Sequence, residues 1–246
     1  MLTSATNAQA LTDWQVGVNF NPFFFKRINP NFSYERGKQD FPNGFSYGLT
    51  IEKNWNDFWG LKTGFESAKQ NEKYFFNVLN INTITKSNFE YYKIPITVQY
   101  YYPIKEKIFL TFNQGIQFSI LKYFKTVIKD DYQKITYSSN YGESIFFQHP
   151  ENNRQEYGDF QNSFHNKNLF GIIGSVGLKG FLAEKITYST NLRYEYDFTV
   201  ADNIPYYYNS ENGKKSITHN FRLGLELGVQ YHFSINDRFD KSPHKL

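Results

Sequence analysis

The sequence predicts an all-β protein, an eight-stranded antiparallel up-and-down transmembrane β-barrel. The first of three observations is the stretch 216–233, SITHNFRLGLELGVQYHF, in which eight of the nine odd positions are apolar or aromatic and none of the nine even positions is. Because successive side chains of a strand point to opposite faces, this pattern predicts one apolar and one polar face. Strands of globular proteins mostly span about 3–10 residues, so the length of this stretch favours a membrane wall.

The second observation is the composition of the chain. Its 246 residues include 26 Phe and 20 Tyr, yet the mean hydropathy is −0.60. No apolar run approaches the roughly 18 residues of a transmembrane helix. A barrel that interleaves lipid-facing apolar residues with polar interior ones has this composition, and the length suits one all-β domain.

The third observation is the rhythm of the connections, which alternate long, short, long, short, long, short, long. They separate strands predicted at about 12–25, 45–52, 59–66, 93–100, 110–120, 170–179, 186–198 and 216–233. Outer-membrane barrels have an even strand number, short periplasmic turns and longer extracellular loops, so the rhythm predicts that both termini are periplasmic. A soluble lipocalin-type barrel also has eight strands, but its apolar residues face inward.

Each strand is justified by its own alternating series. Apolar residues interleave with polar residues or glycine at 14–20, 45–51, 59–65, 94–100, 110–120, 170–178, 186–198 and 217–233. Pro95 cannot donate to a ladder and predicts a bulge or a local break. Gln114 falls on the apolar face of the fifth strand, where a bulge would move it away. The alternation at 74–79 indicates that the long connection 69–88 extends its flanking strands above the membrane.

Four pieces of the sequence, together with the Tyr-rich seventh strand, carry a family resemblance. They are GFSYG at 44–48, LKTGF at 61–65, YKIPI at 92–96 and the segment 171–180. With them the chain resembles the small outer-membrane barrels of Bacteroidota, the PorT-like family. The resemblance implies an eight-stranded barrel in the outer membrane of a Gram-negative bacterium. It implies no single activity, since the family includes components of protein secretion machinery and also many proteins without assigned roles.

The chain is expected to divide into three parts. Residues 1–10 are read as the remnant of a signal peptide, because Ala8-Gln9-Ala10 has the small-x-small form of a cleavage site, although the segment lacks a basic and an apolar region. Residues 11–233 form the barrel, and residues 234–246 form a periplasmic C-terminal tail.

Charged residues at inward positions predict a plugged interior. An eight-stranded barrel is only wide enough for its interior side chains to fill, and unpaired buried charges are costly, so five acids and five bases are expected to pair. The alternative is a proton or ion path. The ten residues are Glu52, Lys62, Glu66, Lys93, Lys179, Arg193, Glu195, Asp197, Arg222 and Glu226.

The longest connection, 122–168, is the predicted partner-binding loop. Disordered segments are poor in aromatics, so its many aromatic side chains need cover, from a partner protein or from the loops themselves. These are Tyr123, Phe124, Tyr132, Tyr137, Tyr141, Phe146, Phe147, Tyr157, Phe160 and Phe164.

The expected function is that of a non-enzymatic scaffold or partner-binding subunit of an envelope complex, with protein secretion as the candidate process. The expected surroundings are outer-membrane lipid and lipopolysaccharide with other envelope proteins. A net charge of +4 gives no reason to expect nucleic-acid binding. The five His residues show no metal-binding spacing and the chain has no Cys, so no metal or cofactor is predicted. The alternatives are a narrow channel for small solutes or a lipid-modifying enzyme, for which His219 beside Thr218 is the candidate.

Overall fold

The computed structural model describes residues 14–28, 37–39, 43–78, 81–129, 134–140, 145–148, 155–158, 165–201 and 218–233. These residues contain no helix long and apolar enough to cross a membrane. The strands are β1 (Trp14–Ile28), β2 (Gly37–Gln39), β3 (Asn43–Asn54), β4 (Trp59–Val78), β5 (Ile81–Lys105), β6 (Ile108–Lys129), β7 (Lys134–Asn140), β8 (Ile145–Gln148), β9 (Gln155–Gly158), β10 (Asn168–Ala183), β11 (Ile186–Asp197) and β12 (His219–Phe233). The signal-peptide remnant predicted at 1–10 and the tail predicted at 234–246 lie outside the described residues.

Eight of the strands close into a ring. Their order is β1, β3, β4, β5, β6, β10, β11 and β12, with β12 paired back to β1, and every neighbouring pair is antiparallel. Short turns at 55–58, 106–107 and 184–185 join β3 to β4, β5 to β6 and β10 to β11. The predicted eight-stranded antiparallel barrel is confirmed, and we call its two ends the short-turn end and the long-loop end.

The outer face of the barrel is apolar and the inner face is polar. On β1 and β3 the outward Val18 and Leu49 are 55% and 67% exposed, whereas the inward Glu52 is 1% exposed. A soluble barrel would bury the first two and expose the third. This distribution matches lipid outside and a packed polar interior, as in membrane-spanning barrels.

Charged outward side chains mark the two edges of the apolar belt. Toward the long-loop end, Glu90 on β5 pairs with Lys69 Nζ at 2.8 Å and with Lys122 Nζ at 3.6 Å. The hydrogen bond from Lys69 leads the interactions that lower the pKa of Glu90. Toward the short-turn end, Lys53 Nζ lies 5.2 Å from the ring centre of Trp14. Between these levels, the described barrel strands present only uncharged residues to the outside.

Three strands continue well beyond the belt. β4, β5 and β6 have 20, 25 and 22 residues, whereas a tilted strand needs only about 9–11 to cross the membrane. Beyond the long-loop end they pair with each other, β2 joins β4, and β7, β8 and β9 follow β6. We call the residues 37–39, 71–78, 81–88, 125–129, 134–140, 145–148 and 155–158 the extramembrane sheet.

Most of the connection predicted at 69–88 is therefore strand. Tyr74 pairs with Thr85 and Val78 with Ile81, in agreement with the predicted extension of the flanking strands at 74–78. The sequence hid the strand character of 69–73 because a sheet outside lipid needs no apolar face. Polar residues such as Lys69 and Asn71 on the outward face therefore break the expected pattern without breaking the ladder.

The two predicted irregularities have different outcomes. The β4–β5 ladder is interrupted at 94–95 without a change of register, so Pro95 produces a local break and not a bulge. The Thr63 hydroxyl donates to the carbonyl of Pro95 at 2.9 Å. The bulge predicted at Gln114 was wrong: Gln114 pairs in register with Val98 and Gly174 and stays on the outer face.

Candidate functional site

The barrel interior is the candidate functional site, and the structure places all ten predicted charged residues inside it. None of them is more than 7% exposed. They come from β3, β4, β5, β10, β11 and β12, at positions that alternate with lipid-facing residues, so the two-residue period of the strands directs all of them inward.

Arg193 is the centre of the interior network. Its Nη1 lies 2.7 Å from Glu66 Oε1 and 2.7 Å from Glu226 Oε2, and its Nη2 lies 2.9 Å from Glu195 Oε1. Lys62 Nζ is 2.8 Å from the other oxygen of Glu226. One guanidinium therefore joins carboxylates from three strands, β4, β11 and β12, across the lumen.

A second group of charges continues the network toward the long-loop end. Arg222 Nη1 lies 3.1 Å from Asp197 Oδ2 and 3.3 Å from Glu195 Oε2. Lys93 Nζ lies 2.7 Å from the same oxygen of Glu195. Glu195 is thus shared by Arg193, Arg222 and Lys93, which links the two groups.

The remaining pair lies nearer the short-turn end. Lys179 Nζ is 2.5 Å from Glu52 Oε2 and 2.6 Å from the side-chain oxygen of Gln15. The Tyr101 hydroxyl lies 3.3 Å from the same Glu52 oxygen. Each of the ten charges therefore has an oppositely charged partner within 3.3 Å.

Neutral side chains add hydrogen bonds to three of the acids. Asn19 donates to Glu66 at 2.8 Å, Gln117 to Glu195 at 3.0 Å, and Asn220 to Asp197 at 2.9 Å. Buried ion pairs offset the loss of hydration only when such additional bonds satisfy the remaining atoms. The interior is built as a connected polar network.

An aromatic cap closes the interior at the short-turn end. We define the short-turn cap as Tyr101, Phe109, Phe181 and His232. Phe109 lies 6.5 Å from Tyr101 and 6.4 Å from Phe181 between ring centres, and Phe181 lies 5.2 Å from His232. The His232 Nε2 is 3.0 Å from the Thr187 hydroxyl.

A second apolar cap lies at the long-loop end, formed by Ala68, Phe89, Tyr91, Leu121, Phe124, Leu169, Ala201 and the ring of His165. His165 stands edge-on to Phe89 and Phe124 at 4.9 and 4.8 Å. The Arg27 guanidinium lies 4.5 Å from the Phe89 ring centre and pairs with Glu72 at 3.2 Å. We call this group the long-loop cap.

Between the caps there is little free space. A cavity of about 20 Å³ lies beside Lys62, Glu66, Arg193 and Glu226. A buried water needs roughly 10–15 Å³ and two to four polar partners, so this cavity has room for about one water molecule. The described interior is filled by side chains.

Sequence reasoning did not identify either cap. The signal was present in the inward series of β5, where Phe89, Tyr91 and Tyr101 have the same parity as Lys93. Aromatic residues at inward positions near the strand ends were the available indication, but aromatics at strand ends are also expected at membrane interfaces.

The predicted loop aromatics are only partly described. Phe124 is 1% exposed in the long-loop cap, and the neighbouring Tyr123 is half-buried on β6. Tyr137 belongs to β7, Phe146 and Phe147 to β8, and Tyr157 to β9, in the extramembrane sheet. The positions Tyr132, Tyr141, Phe160 and Phe164 lie outside the described residues.

The enzyme candidate His219 is engaged in structural contacts. Its Nδ1 is 3.0 Å from the backbone carbonyl of Asp197, and its ring stacks on Tyr196 with centres 5.6 Å apart. The nearby Asp197 carboxylate faces inward and binds Arg222. Among the described residues, no group of three or more His, Asp and Glu side chains is arranged to hold a metal ion.

Comparison with known proteins gives likeness to solved structures only. No protein-family model matches the chain, and no curated protein matches its sequence. Ail, the attachment invasion locus protein of Yersinia pestis, is 12% identical, with a TM-score of 0.39 over 89% of this chain and 100% of that one. Outer membrane protein OprG from Pseudomonas aeruginosa is 12% identical, with a TM-score of 0.47 over 92% and 98%. Neisserial surface protein A is 10% identical, with a TM-score of 0.40 over 89% and 97%.

Proposed function

We propose that this protein is a non-enzymatic, non-conducting outer-membrane barrel that presents its extramembrane sheet, and the segments connected to it, to partner proteins of an envelope complex. The observation that carries the proposal is the closed interior. Arg193 crosses the lumen to Glu66, and a cap lies on each side of the charge network. A barrel filled in this way acts through its surfaces and not through a pore.

The extramembrane sheet supplies a surface suited to protein binding. Its last strand, β9, pairs with β8 on one side, and no strand pairs with its other side among the described residues. An open strand edge presents backbone donors and acceptors that an extended segment of another protein can pair with. The Thr126 hydroxyl, which donates to Ser87 at 3.0 Å, ties β6 to β5 at the base of the sheet.

The proposed orientation has the short turns and both termini in the periplasm and the extramembrane sheet outside the cell, surrounded by lipopolysaccharide. It follows the usual arrangement of outer-membrane barrels, whose periplasmic turns are short. The resemblance of YKIPI at 92–96 and the other quoted pieces to PorT-like barrels makes protein secretion the setting we propose for the complex.

A narrow solute channel is the second candidate, and the interior argues against it. A conducting path would have to pass the short-turn cap, where Phe109 and Phe181 fill the lumen, and then the shared carboxylate of Glu195. Solvated channel charges are usually separated by water, whereas Lys93 and Glu195 are in direct contact at 2.7 Å.

Protease treatment of intact cells tests both the orientation and the partner binding. We expect cleavage within 130–164 and loss of the proteins that co-purify in mild detergent, while the heat-modifiable barrel remains. The reason is that this segment contains β7, β8 and β9, which lie on the proposed outer side. A variant with alanine at Lys105, Glu106 and Lys107, in the opposite turn, serves as the control and should keep its partners.

Two results would contradict the proposal. Protection of 130–164 in intact cells would reverse the orientation. Retention of every partner after complete cleavage of this segment would move the binding surface to another part of the barrel.

A further inference from the structure

Among the residues that the structure describes, one carboxamide in the apolar belt of the outer face is not satisfied by lipid. Gln114 on β6 points outward within the apolar belt and is the only carboxamide on the outward face of the described barrel strands between the charged edges. The Tyr194 hydroxyl donates to Gln114 Oε1 at 2.5 Å. The carboxamide nitrogen has no acceptor among the residues the structure describes. If the amide is turned over, its oxygen is left without a donor instead.

The surroundings of Gln114 are shaped for this contact. Gly174 lies between Gln114 and Tyr194 in the strand ladder. A Cβ at Gly174 would stand 2.6 Å from Gln114 Oε1 and 2.6 Å from Tyr194 Cε1, so the glycine lets the tyrosine ring cross β10. A groove of about 470 Å³ runs beside the pair and is lined by apolar residues including Phe112, Val176 and Leu192.

The depth of Gln114 excludes the ester groups of lipid as its partner. Gln114 is four residues from Leu110 and six from Ile120, which lie toward the two edges of the belt. At roughly 3.3 Å per residue and a tilt of about 40°, these separations place it about 10 and 15 Å from the two levels. Ester carbonyls lie at the edges of the hydrocarbon region, so only another protein can supply a polar group at this depth.

We propose that the face around Gln114 is a self-association surface, on which a second copy of this chain binds about a two-fold axis. A carboxamide is both donor and acceptor, so Gln114 can pair with Gln114 of a second copy without any other polar residue. A two-fold interface brings the same residues of both subunits together. The lipid-facing Thr63 contrasts with Gln114, because its hydroxyl is already bonded to Pro95.

Single cysteines test the surface directly, because the chain has none of its own. Ile116→Cys lies on the same outward face of β6, two residues from Gln114. Val18→Cys on β1, four strands away around the ring of eight, is the matched control. After mild oxidation in lipid vesicles, we expect a disulfide-linked dimer from Ile116→Cys and only background dimer from Val18→Cys.

Gln114→Leu then measures the contribution of the amide. Polar contacts between membrane segments are modest, and we expect the dimer dissociation constant, measured by energy transfer on dilution in lipid, to rise roughly tenfold, which corresponds to about 1.4 kcal/mol. Unchanged heat-modifiability on gels confirms that the variant barrel is folded. Equal cross-linking of Ile116→Cys and Val18→Cys, a monomer at every protein-to-lipid ratio, or an unchanged dissociation constant for Gln114→Leu would each overturn the proposal.

Discussion

Replacing Arg193 with alanine is expected to lower the free energy of unfolding by about 3–5 kcal/mol, the usual cost of removing one member of a buried ion pair. Arg193 joins Glu66, Glu195 and Glu226. Without it, Glu66 keeps only the neutral amide of Asn19 within the described network. The measurement is reversible urea unfolding of the barrel in detergent or thin bilayers.

The control for Arg193→Ala is Lys105→Ala, which removes an exposed cation from a short turn and should change the free energy of unfolding by well under 1 kcal/mol. Combining Arg193→Ala with Glu66→Gln removes the stranded carboxylate and should recover part of the loss. Equal stability of Arg193→Ala and Lys105→Ala would mean that water solvates the interior charges and that the network is not dry.

Replacing Leu225 with arginine is expected to cost about 2–4 kcal/mol, because the new cation faces the hydrocarbon region of the membrane. Leu225 is outward on β12, between Leu223 and Leu227, and 45% exposed. The yield of heat-modifiable barrel after assembly into lipid, followed by urea unfolding, measures the effect.

Ile104→Arg is the matched control for Leu225→Arg. Ile104 is similarly exposed, at 51%, but lies at the short turn beside Lys105, where an arginine reaches water and lipid head groups. We expect its assembly to stay close to that of the unaltered chain. Similar losses for the two variants would argue that the face bearing Leu225 does not contact lipid.

The barrel itself could be predicted from sequence because its strands are constrained on two sides. Lipid requires an apolar residue at Leu225, and the packed interior requires a polar or small one at Glu226, so a strict two-residue period results. Where one constraint ends, the prediction weakens. Beyond Glu90 and Lys69 there is no lipid, and the strand character of 69–73 was hidden in polar sequence.

The contacts inside the barrel were predictable in kind but not in detail. The sequence analysis expected the five bases, Arg222 among them, to pair with the five acids, and Arg222 does contact Glu195 and Asp197. It named Glu66 as an inward acid but did not identify it as a partner of Arg193, which it reaches from β4 across the lumen. Which side chains meet across a barrel depends on strand stagger and tilt, which a single sequence does not specify.

Gln114 shows the opposite case. Its position on the apolar face looked like an irregularity that a bulge should remove, because a local rule was applied to one strand alone. The neighbouring strands supply the explanation, since Gly174 leaves room for Tyr194 to reach the amide. Gln114 is held in place by Gly174 and Tyr194, which follow it in the chain by 60 and 80 positions.

Planar-bilayer recording of the purified, unmodified protein tests the closed interior most directly. We expect no steady conductance, because Arg193, Lys93 and their carboxylate partners fill the lumen between the short-turn cap and the long-loop cap. Steady ohmic conductance from the folded barrel, growing in proportion to the number of inserted molecules, would contradict the closed interior and favour the channel.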